Sequence, residues 1–237
     1  MGMKKHVMGL VDRQLGQSRA LQRAALNTTG LGEPPPEPGP VITISRQLGS
    51  GSRQVAQRLV ERLGWSLWDK DLVDAIAKDA DVDRWIVETF DEKTISEIDV
   101  LARTLTGQYE FGGFMYGQHL AKVLLAVARH GYAIILGRGA NFLLTGALNI
   151  RLVASEEVRI TNLMDYGELS REEALDRIRQ TDKERADFIR KVYLKDIEDP
   201  LAYDVVITVD NFGIEGAVEI ILTAYQAKYE KKEKKEE

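Results

Sequence analysis

The sequence predicts an α/β fold built on a parallel sheet of five short strands. Five apolar segments recur along the chain, and segments with apolar residues at helical spacing separate them. Short buried strands that alternate with helices are typical of a parallel sheet covered on both faces. The first of the five runs directly into a glycine-rich turn and then a helix, whose amino end is suited to an anion. The pattern therefore predicts a ligand site at one edge of the sheet.

The five predicted strands are short and apolar, and most are rich in β-branched residues. They are Val41–Ser45, the stretch WSLWD at 65–69, Tyr132–Gly137, Asn149–Ala154 and Asp204–Asp210. The third strand contains almost no polar residue, so we expect both of its faces to be buried.

Residues that favour helix ends delimit several predicted helices. A helix begins at about Ser52, and Gly64 stands at its C-cap position. Ser155 precedes a helix with two glutamates in its first turn, and Ser170 with Glu173 forms a capping box for the next helix. Further helices are predicted at 71–80, in the stretch that closes at Gly131, and after the turn Asn211–Gly213.

The region Asp91–Gly117 has no clear periodicity. Its last part, YEFGGFMYG at 109–117, is rich in glycine and predicts a mobile loop rather than a regular element.

The composition excludes several classes of protein. The chain has 237 residues, of which 44% are hydrophobic and 29% charged, as is ordinary for a globular protein. No stretch has the ~18 apolar residues of a membrane helix, and the amino terminus lacks the apolar core of a secretory signal. The absence of cysteine excludes disulfides and thiolate metal sites and fits a reducing compartment. Because the net charge is −5, no global field attracts nucleic acid. We expect a cytoplasmic protein with neither a nucleic-acid nor a membrane partner, and the oligomeric state stays open.

The glycine-rich turn ISRQLGSGSRQ at 44–54 is the sharpest feature of the sequence. Gly49 and Gly51 allow a tight bend, and the following helix directs free N–H groups at whatever lies there. Against the phosphate-binding pattern G-x-x-x-x-G-K-[ST], Gly51 fills the second glycine, but Arg46 stands at the first and Ser52 at the lysine. Arg46 and Arg53 flank the turn and are candidates to supply the missing charge. The pattern favours phosphate binding over a turn that only joins strand to helix.

The same stretch resembles the start of bacterial cytidylate kinases, and more closely the cytidylate kinase-like family with its ISR-x-x-GSG signature. The resemblance extends in order through about residues 41–226. It includes Trp68-Asp69-Lys70, GRGANFLL at 137–144, LVASEEVR at 152–159, TDKERADF at 181–188 and the closing YDVVITVDNFGIEGAVEIIL at 203–222.

The resemblance implies a P-loop NTPase-type three-layer sandwich, with a five-stranded parallel sheet and a small helical lid. It implies ATP- and Mg²⁺-dependent transfer of a phosphoryl group to a nucleoside monophosphate, CMP-like, or a related small acceptor. The donor nucleotide would be bound by Gly49, Ser50, Gly51, Ser52, Arg53 and Gln54. The acceptor would be bound by Asp69 and Arg138. The cations around the transferred group would be Arg46, Arg159, Lys183 and Arg185. No protein metal ligand is expected.

Several of these residues also have plainer interpretations. Asp69 is equally suited to cap the helix that follows it. Lys183 and Arg185 lie in a run of alternating charge that is typical of a solvated helix. Arg138 follows a buried strand at the edge where open α/β sheets bind ligands, which favours a functional role.

The chain departs from the family pattern at four places. Ser52 replaces the loop lysine, and Gln54 stands where these kinases often have a threonine that helps to hold magnesium. Gly139 and Asn141 replace an aspartate and a glycine of the Gly-Arg-Asp-x-Gly stretch. The resemblance therefore supports nucleotide binding more strongly than cytidine specificity. A non-catalytic nucleotide-binding module with a degenerate loop stays open as the alternative.

Three zones make up the chain. Residues 1–40 form an extension that ends in a stiff proline-rich linker at Pro34–Pro40, residues 41–226 form the kinase-like domain, and residues 227–237 form a charged tail. We expect residues 1–33 to be dispensable for nucleotide binding.

Overall fold

The computed structural model describes residues 9–14, 16–18, 20–21, 39–77, 92–106, 114–167 and 169–230. Within them, five strands form one all-parallel sheet in the order β2-β3-β1-β4-β5. The strands are β1 (Val41–Arg46), β2 (Ser66–Trp68), β3 (Ala133–Leu136), β4 (Leu148–Val153) and β5 (Val205–Thr208). The predicted α/β class and the five strands are thereby confirmed.

In the described part of the chain, helices lie between these strands, and the last helix follows β5. They are α1 (Ser52–Leu63), α2 (Lys70–Ala77), α3 (Glu92–Thr106), α4 (Phe114–His130), α5 (Ala140–Leu143), α6 (Glu156–Gly167), α7 (Arg171–Tyr193) and α8 (Val209–Tyr225). A 3₁₀ turn, Pro200–Ala202, precedes β5, and a π-helical turn, Gln226–Glu230, follows α8. None of the described helices is both long enough and apolar enough to cross a membrane.

Most predicted helix ends are confirmed. Gly64, with φ 70°, follows α1, and the Ser170–Glu173 capping box is formed at the start of α7. The predicted turn at Asn211–Gly213 is present as a break inside α8, where Gly213 has φ 63° and ψ −173°.

The loop predicted at 109–117 is wrong for its last four residues, because α4 begins at Phe114. Residues 107–113 lie outside the described part of the chain. The region before them contains α3, which packs on α4 through the ion pairs Lys122–Asp99 and Arg129–Glu97. Tertiary packing of this kind overrides the low helix propensity that glycine confers.

The chain divides into two compact units. The first comprises residues 1–41 and 64–135, and its described part contains α2, α3, α4, β2 and the first three residues of β3. Trp68, Val73, Ile98, Leu120 and Leu124 are almost fully buried there. The Tyr116 hydroxyl donates to Asp74 Oδ1 at 2.7 Å and joins α4 to α2.

The described part of the amino-terminal extension packs on β2 in this first unit. Gln14 Oε1 accepts from the Leu67 amide at 2.9 Å, and the Ser18 and Ser66 hydroxyls lie 3.0 Å apart. Val11 and Ser18 are fully buried. These contacts satisfy polar groups along β2, the edge strand of the sheet.

The second unit comprises residues 42–63 and 136–237. β1 pairs with β4 so that Ser45 lies opposite Arg151 and Arg46 opposite Leu152. α8 packs against α1. Val55 and Leu59 of α1 and Val218 and Ile221 of α8 are fully buried. This unit carries the glycine-rich turn and most of the predicted site residues.

Candidate functional site

The glycine-rich turn spans the five residues between β1 and α1. Gly49 and Gly51 have φ of 82° and 72°, in the region that favours glycine. A Cβ on Gly49 would lie 2.7 Å from the Arg159 carbonyl oxygen, and one on Gly51 would collide with the Ile214 side chain. Glycine is therefore required at both positions by conformation and by space.

The turn directs backbone N–H groups away from protein acceptors. Among the described residues, the amides of Gly49, Gly51 and Ser52 have no protein hydrogen-bond acceptor. The Ser50 hydroxyl donates to the Gln47 carbonyl at 2.9 Å and holds the bend. Such amides at the start of a helix suit an anion.

The remaining predicted donor residues lie in the first turn of α1. Arg53 is exposed, and Gln54 is half-buried. The six residues predicted to bind the donor nucleotide, 49–54, thus span the end of the glycine-rich turn and the first turn of α1.

Side chains of α6 and α7 also hold the turn in place. Arg159 Nε donates to the Leu48 carbonyl at 2.7 Å, and Asn162 Nδ2 donates to the Gly49 carbonyl at 2.7 Å. The Leu48 amide donates to Asp182 Oδ1 at 2.9 Å. These contacts restrain the turn without using the amides of Gly51 and Ser52.

Arg159, Asp182 and Arg185 form a charged cluster beside the turn. Asp182 pairs with Arg159 and lies 3.5 Å from Arg185 Nη1, and Arg185 also donates to the Arg46 carbonyl at 3.0 Å. Burial lowers the pKa of Arg185; Asp182 opposes this shift, whereas three neighbouring arginines, Arg159, Arg151 and Arg138, add to it. The cluster therefore carries more positive than negative charge.

Two of the four predicted catalytic cations, Arg159 and Arg185, meet in this cluster. Lys183 lies on α7 as well but is exposed. The whole stretch compared with a lid, 181–188, lies inside α7.

Arg46, at the end of β1, extends towards the residue that follows β3. A Cβ on Gly137 would lie 3.0 Å from Arg46 Cζ, so the guanidinium lies directly against this glycine. Gly137 has φ 90°, and its amide donates to the Ile44 carbonyl at 3.0 Å. Arg46 thus precedes the glycine-rich turn in the chain, and its side chain reaches the turn that carries Arg138.

Arg138 lies in a strained turn that α7 supports. Its φ is 56°, which is uncommon for a residue with a side chain. Its carbonyl accepts from the Tyr193 hydroxyl at 2.6 Å, and its guanidinium lies 4.7 Å from the centre of the Phe188 ring. The predicted acceptor-binding arginine is therefore held by two aromatic residues of α7.

Asp69 lies in the first unit, at the end of β2. Its Oδ1 accepts from the Leu72 amide at 2.9 Å, so the interpretation of Asp69 as the cap of α2 is confirmed. Its role towards an acceptor stays a prediction.

Arg151 on β4 was not among the predicted site residues, although it contacts β1 next to Arg46. Its side chain, 4% exposed, donates to the Ser45 hydroxyl at 3.0 Å and pairs with Glu198. Its guanidinium lies 5.6 Å from the centre of the Tyr203 ring, and burial raises the pKa of that phenol. An arginine in the middle of a strand whose other residues, apart from Asn149, are apolar was the available signal.

Asp182, Phe188 and Tyr193 were not singled out by the sequence either, because their roles depend on contacts with the distant turns. Within the described ranges, no group of three or more histidine, aspartate or glutamate side chains is arranged to hold a metal ion.

Comparison with known proteins identifies the class. The model of the cytidylate kinase-like family matches residues 41–211, and the chain belongs to this family. It is therefore a kinase-like protein, as the motifs predict. No curated protein matches the chain.

Three solved structures are similar to this chain. An uncharacterized protein from Eubacterium ventriosum has 20% identity and a TM-score of 0.55, with 78% of this chain and 97% of that chain covered. A shikimate kinase from Bacteroides thetaiotaomicron has 16% identity and a TM-score of 0.42, covering 79% and 98%. A Thermus thermophilus protein has 17% identity and a TM-score of 0.41, with the same coverage of 79% and 98%. The first of these supports the fold.

Proposed function

We propose that this chain binds ATP with Mg²⁺ and transfers the γ-phosphoryl group to a nucleoside monophosphate, CMP-like, or a related small acceptor. The observation that carries the proposal is the position of Arg46. Its guanidinium lies against Gly137, the residue before Arg138, and its backbone leads directly into the glycine-rich turn. Phosphoryl transfer needs cations at this place, because the moving group passes between donor and acceptor oxygens.

The donor phosphates would be bound by the turn 49–54. The amides of Gly51 and Ser52 lie at the amino end of α1, where the helix dipole adds to their attraction for an anion. Mg²⁺ would take its ligands from the phosphates and from water, with no protein side chain assigned to it.

The acceptor phosphate would be bound by Arg138. Its guanidinium is positioned by Phe188, and its backbone by Tyr193. Asp69 is assigned to the acceptor by the family resemblance alone.

In the transfer step, an oxygen of the acceptor phosphate forms the new P–O bond while the bond from the γ-phosphorus to the bridging oxygen breaks, releasing ADP. Arg46, Arg185 and Arg159 would offset the charge on the transferred group, and the exposed Lys183 would approach from α7. Cations placed where charge develops lower the barrier without covalent chemistry.

The test is a coupled assay of ADP formation with CMP, dCMP, UMP and AMP as acceptors and with ATP–Mg²⁺ as donor. We expect turnover with at least one acceptor, and its loss in Arg138→Ala. The matched control is Arg179→Ala, an exposed arginine of α7 that should retain full turnover. Absence of turnover with every acceptor would refute the kinase assignment.

One observation favours the alternative, a nucleotide-binding module without catalysis. Ser52 occupies the position of the loop lysine and has no amine to bridge the phosphates. Calorimetric binding of ATP, measured on the same protein, separates the two functions. Binding without turnover would favour the module.

A further inference from the structure

The Asp182 carboxylate contacts the backbone of the glycine-rich turn. Its Oδ1 accepts from the Leu48 amide at 2.9 Å, its Oδ2 pairs with Arg159, and Arg185 lies 3.5 Å from Oδ1. One carboxylate thus receives a backbone N–H and two guanidinium groups.

These partners are the donors that bind a phosphate group elsewhere in proteins. Arginine forks and loop amides both favour an oxyanion, and neither distinguishes carboxylate from phosphate by charge alone. The Arg159 side chain is 8% exposed, whereas the Asp182 side chain is 27% exposed. The Arg185 side chain is 25% exposed, so Arg159 is the deeply buried member of the contact, and Asp182 is partly accessible to solvent.

The charge around this position also favours an anion stronger than one carboxylate. Burial and the neighbouring arginines Arg159, Arg151 and Arg138 lower the pKa of Arg185, and Asp182 opposes them. A phosphate group, which carries more negative charge, would compensate this cluster more fully.

We propose that Asp182 is an internal competitor for phosphate: its carboxylate holds the position formed by the Leu48 amide, Arg159 and Arg185, and a phosphate group of the bound nucleotide displaces it. This inference rests on the proposed function, because it assigns a regulator to the same phosphate site. Asp182 lies on α7, and so do Arg185, which donates to the Arg46 carbonyl, and Phe188, which contacts Arg138. Displacement of Asp182 therefore breaks the contact of α7 with the Leu48 amide, while Arg185 keeps α7 in contact with Arg46.

A purely structural role predicts the opposite result when the carboxylate is removed. If Asp182 only fixes the turn, its loss loosens the site and weakens phosphate binding. If Asp182 competes with phosphate, its loss frees the amide and both arginines and strengthens binding.

The experiment is calorimetric titration of the full chain with tripolyphosphate, comparing wild type with Asp182→Asn. Because the variant no longer has to break a charge-assisted contact, we expect it to bind at least about tenfold more tightly. Asp187→Asn is the matched control. It lies on the same helix and removes an exposed pair with Arg190, so it should bind like wild type. Equal or weaker binding by Asp182→Asn would overturn the inference.

Loss of the Asp182 carboxylate leaves the buried Arg159 without its partner, so Asp182→Asn can be unstable. Thermal unfolding is then followed with and without tripolyphosphate. Because any ligand of the folded state raises the melting temperature, a larger rise in Asp182→Asn than in wild type at the same tripolyphosphate concentration would support the inference, and an equal or smaller rise would contradict it. A variant that remains unfolded at saturating tripolyphosphate would contradict it.

The two proposals fail in different ways. If wild type turns over a nucleotide but Asp182→Asn binds no tighter, only the assignment of Asp182 is wrong. If wild type shows no turnover but Asp182→Asn binds tripolyphosphate more tightly, the kinase assignment fails and the role of Asp182 stands.

Discussion

The guanidinium of Arg46 lies against the backbone of Gly137, with Arg46 Cζ 3.0 Å from where a Cβ on Gly137 would be. Arg46 is the last residue of β1 and Gly137 follows β3, and these two strands are neighbours in the sheet. The absence of a side chain at 137 is what makes room for the guanidinium. Glycine at this position therefore determines where the principal candidate cation lies.

Substitution Gly137→Ala tests this relationship. It places a side chain at φ 90° and against Arg46, so we expect a loss of about 1–2 kcal/mol in the free energy of unfolding from the backbone alone. The loss of turnover, expressed as a free energy, should exceed the loss in the free energy of unfolding, because Arg46 is displaced. Urea denaturation and the coupled assay measure the two effects. Gly146→Ala is the control, since a Cβ there meets nothing within 4 Å; equal losses in both variants would contradict the role of Gly137.

Arg46→Ala should weaken the binding of ATP far more than that of CMP. A charge-assisted contact contributes about 1.5–3 kcal/mol, or roughly ten- to a hundred-fold in affinity. Calorimetric titration with each nucleotide measures the difference. Arg53→Ala is the comparison, because this exposed residue flanks the same turn from the helix side. If only Arg53→Ala loses affinity for ATP, the compensating charge comes from α1 and the assignment of Arg46 is wrong.

Tyr193→Phe should raise the KM for the acceptor several-fold with little change in the KM for ATP. The substitution removes the hydroxyl that donates to the Arg138 carbonyl at 2.6 Å, and such a bond contributes about 1 kcal/mol. Arg138 then leaves its left-handed conformation more readily. Steady-state kinetics with both substrates varied separates the effects. Tyr166→Phe, which changes a tyrosine that is 74% exposed, should leave both KM values unchanged; a parallel rise in this control would count against a specific role of Tyr193.

A chain that begins at Gly39 should be less stable than the full chain. It loses the contacts of Gln14 and Ser18 with β2 and the hydrogen bond from the Gln17 side chain to the Gly64 carbonyl, each hydrogen bond contributing about 0.5–1.5 kcal/mol, and it exposes a sheet edge. Urea denaturation and light scattering measure the lost stability and the expected self-association. ATP affinity of the remaining folded monomer should stay the same, as the sequence predicts for residues 1–33. Unchanged stability would show that the segment contributes nothing to the first unit, and lost ATP affinity would show that it acts on the site.

The sequence by itself determined the features that depend on neighbouring residues. Strand positions followed from short apolar runs, and the capping box of α7 followed from Ser170 and Glu173, which are three residues apart. The glycine-rich turn was recognisable because strand, glycines and helix are contiguous. The motifs that resemble the cytidylate kinase-like family are also short contiguous stretches, and the family model matches residues 41–211.

The tertiary structure alone decided which side chains meet at the site. The Leu48 amide and Asp182 are 134 positions apart, and the Tyr193 hydroxyl lies 55 positions from the Arg138 carbonyl that it contacts. A periodic pattern shows which face of a helix is buried, but it does not show which distant turn that face contacts. For the same reason the sequence missed the start of α4 at Phe114, where packing on α3 outweighs local glycine content. It also missed the packing of Gln14 and Ser18 on β2, because the side-chain hydrogen bonds that attach this segment join residues about fifty positions apart.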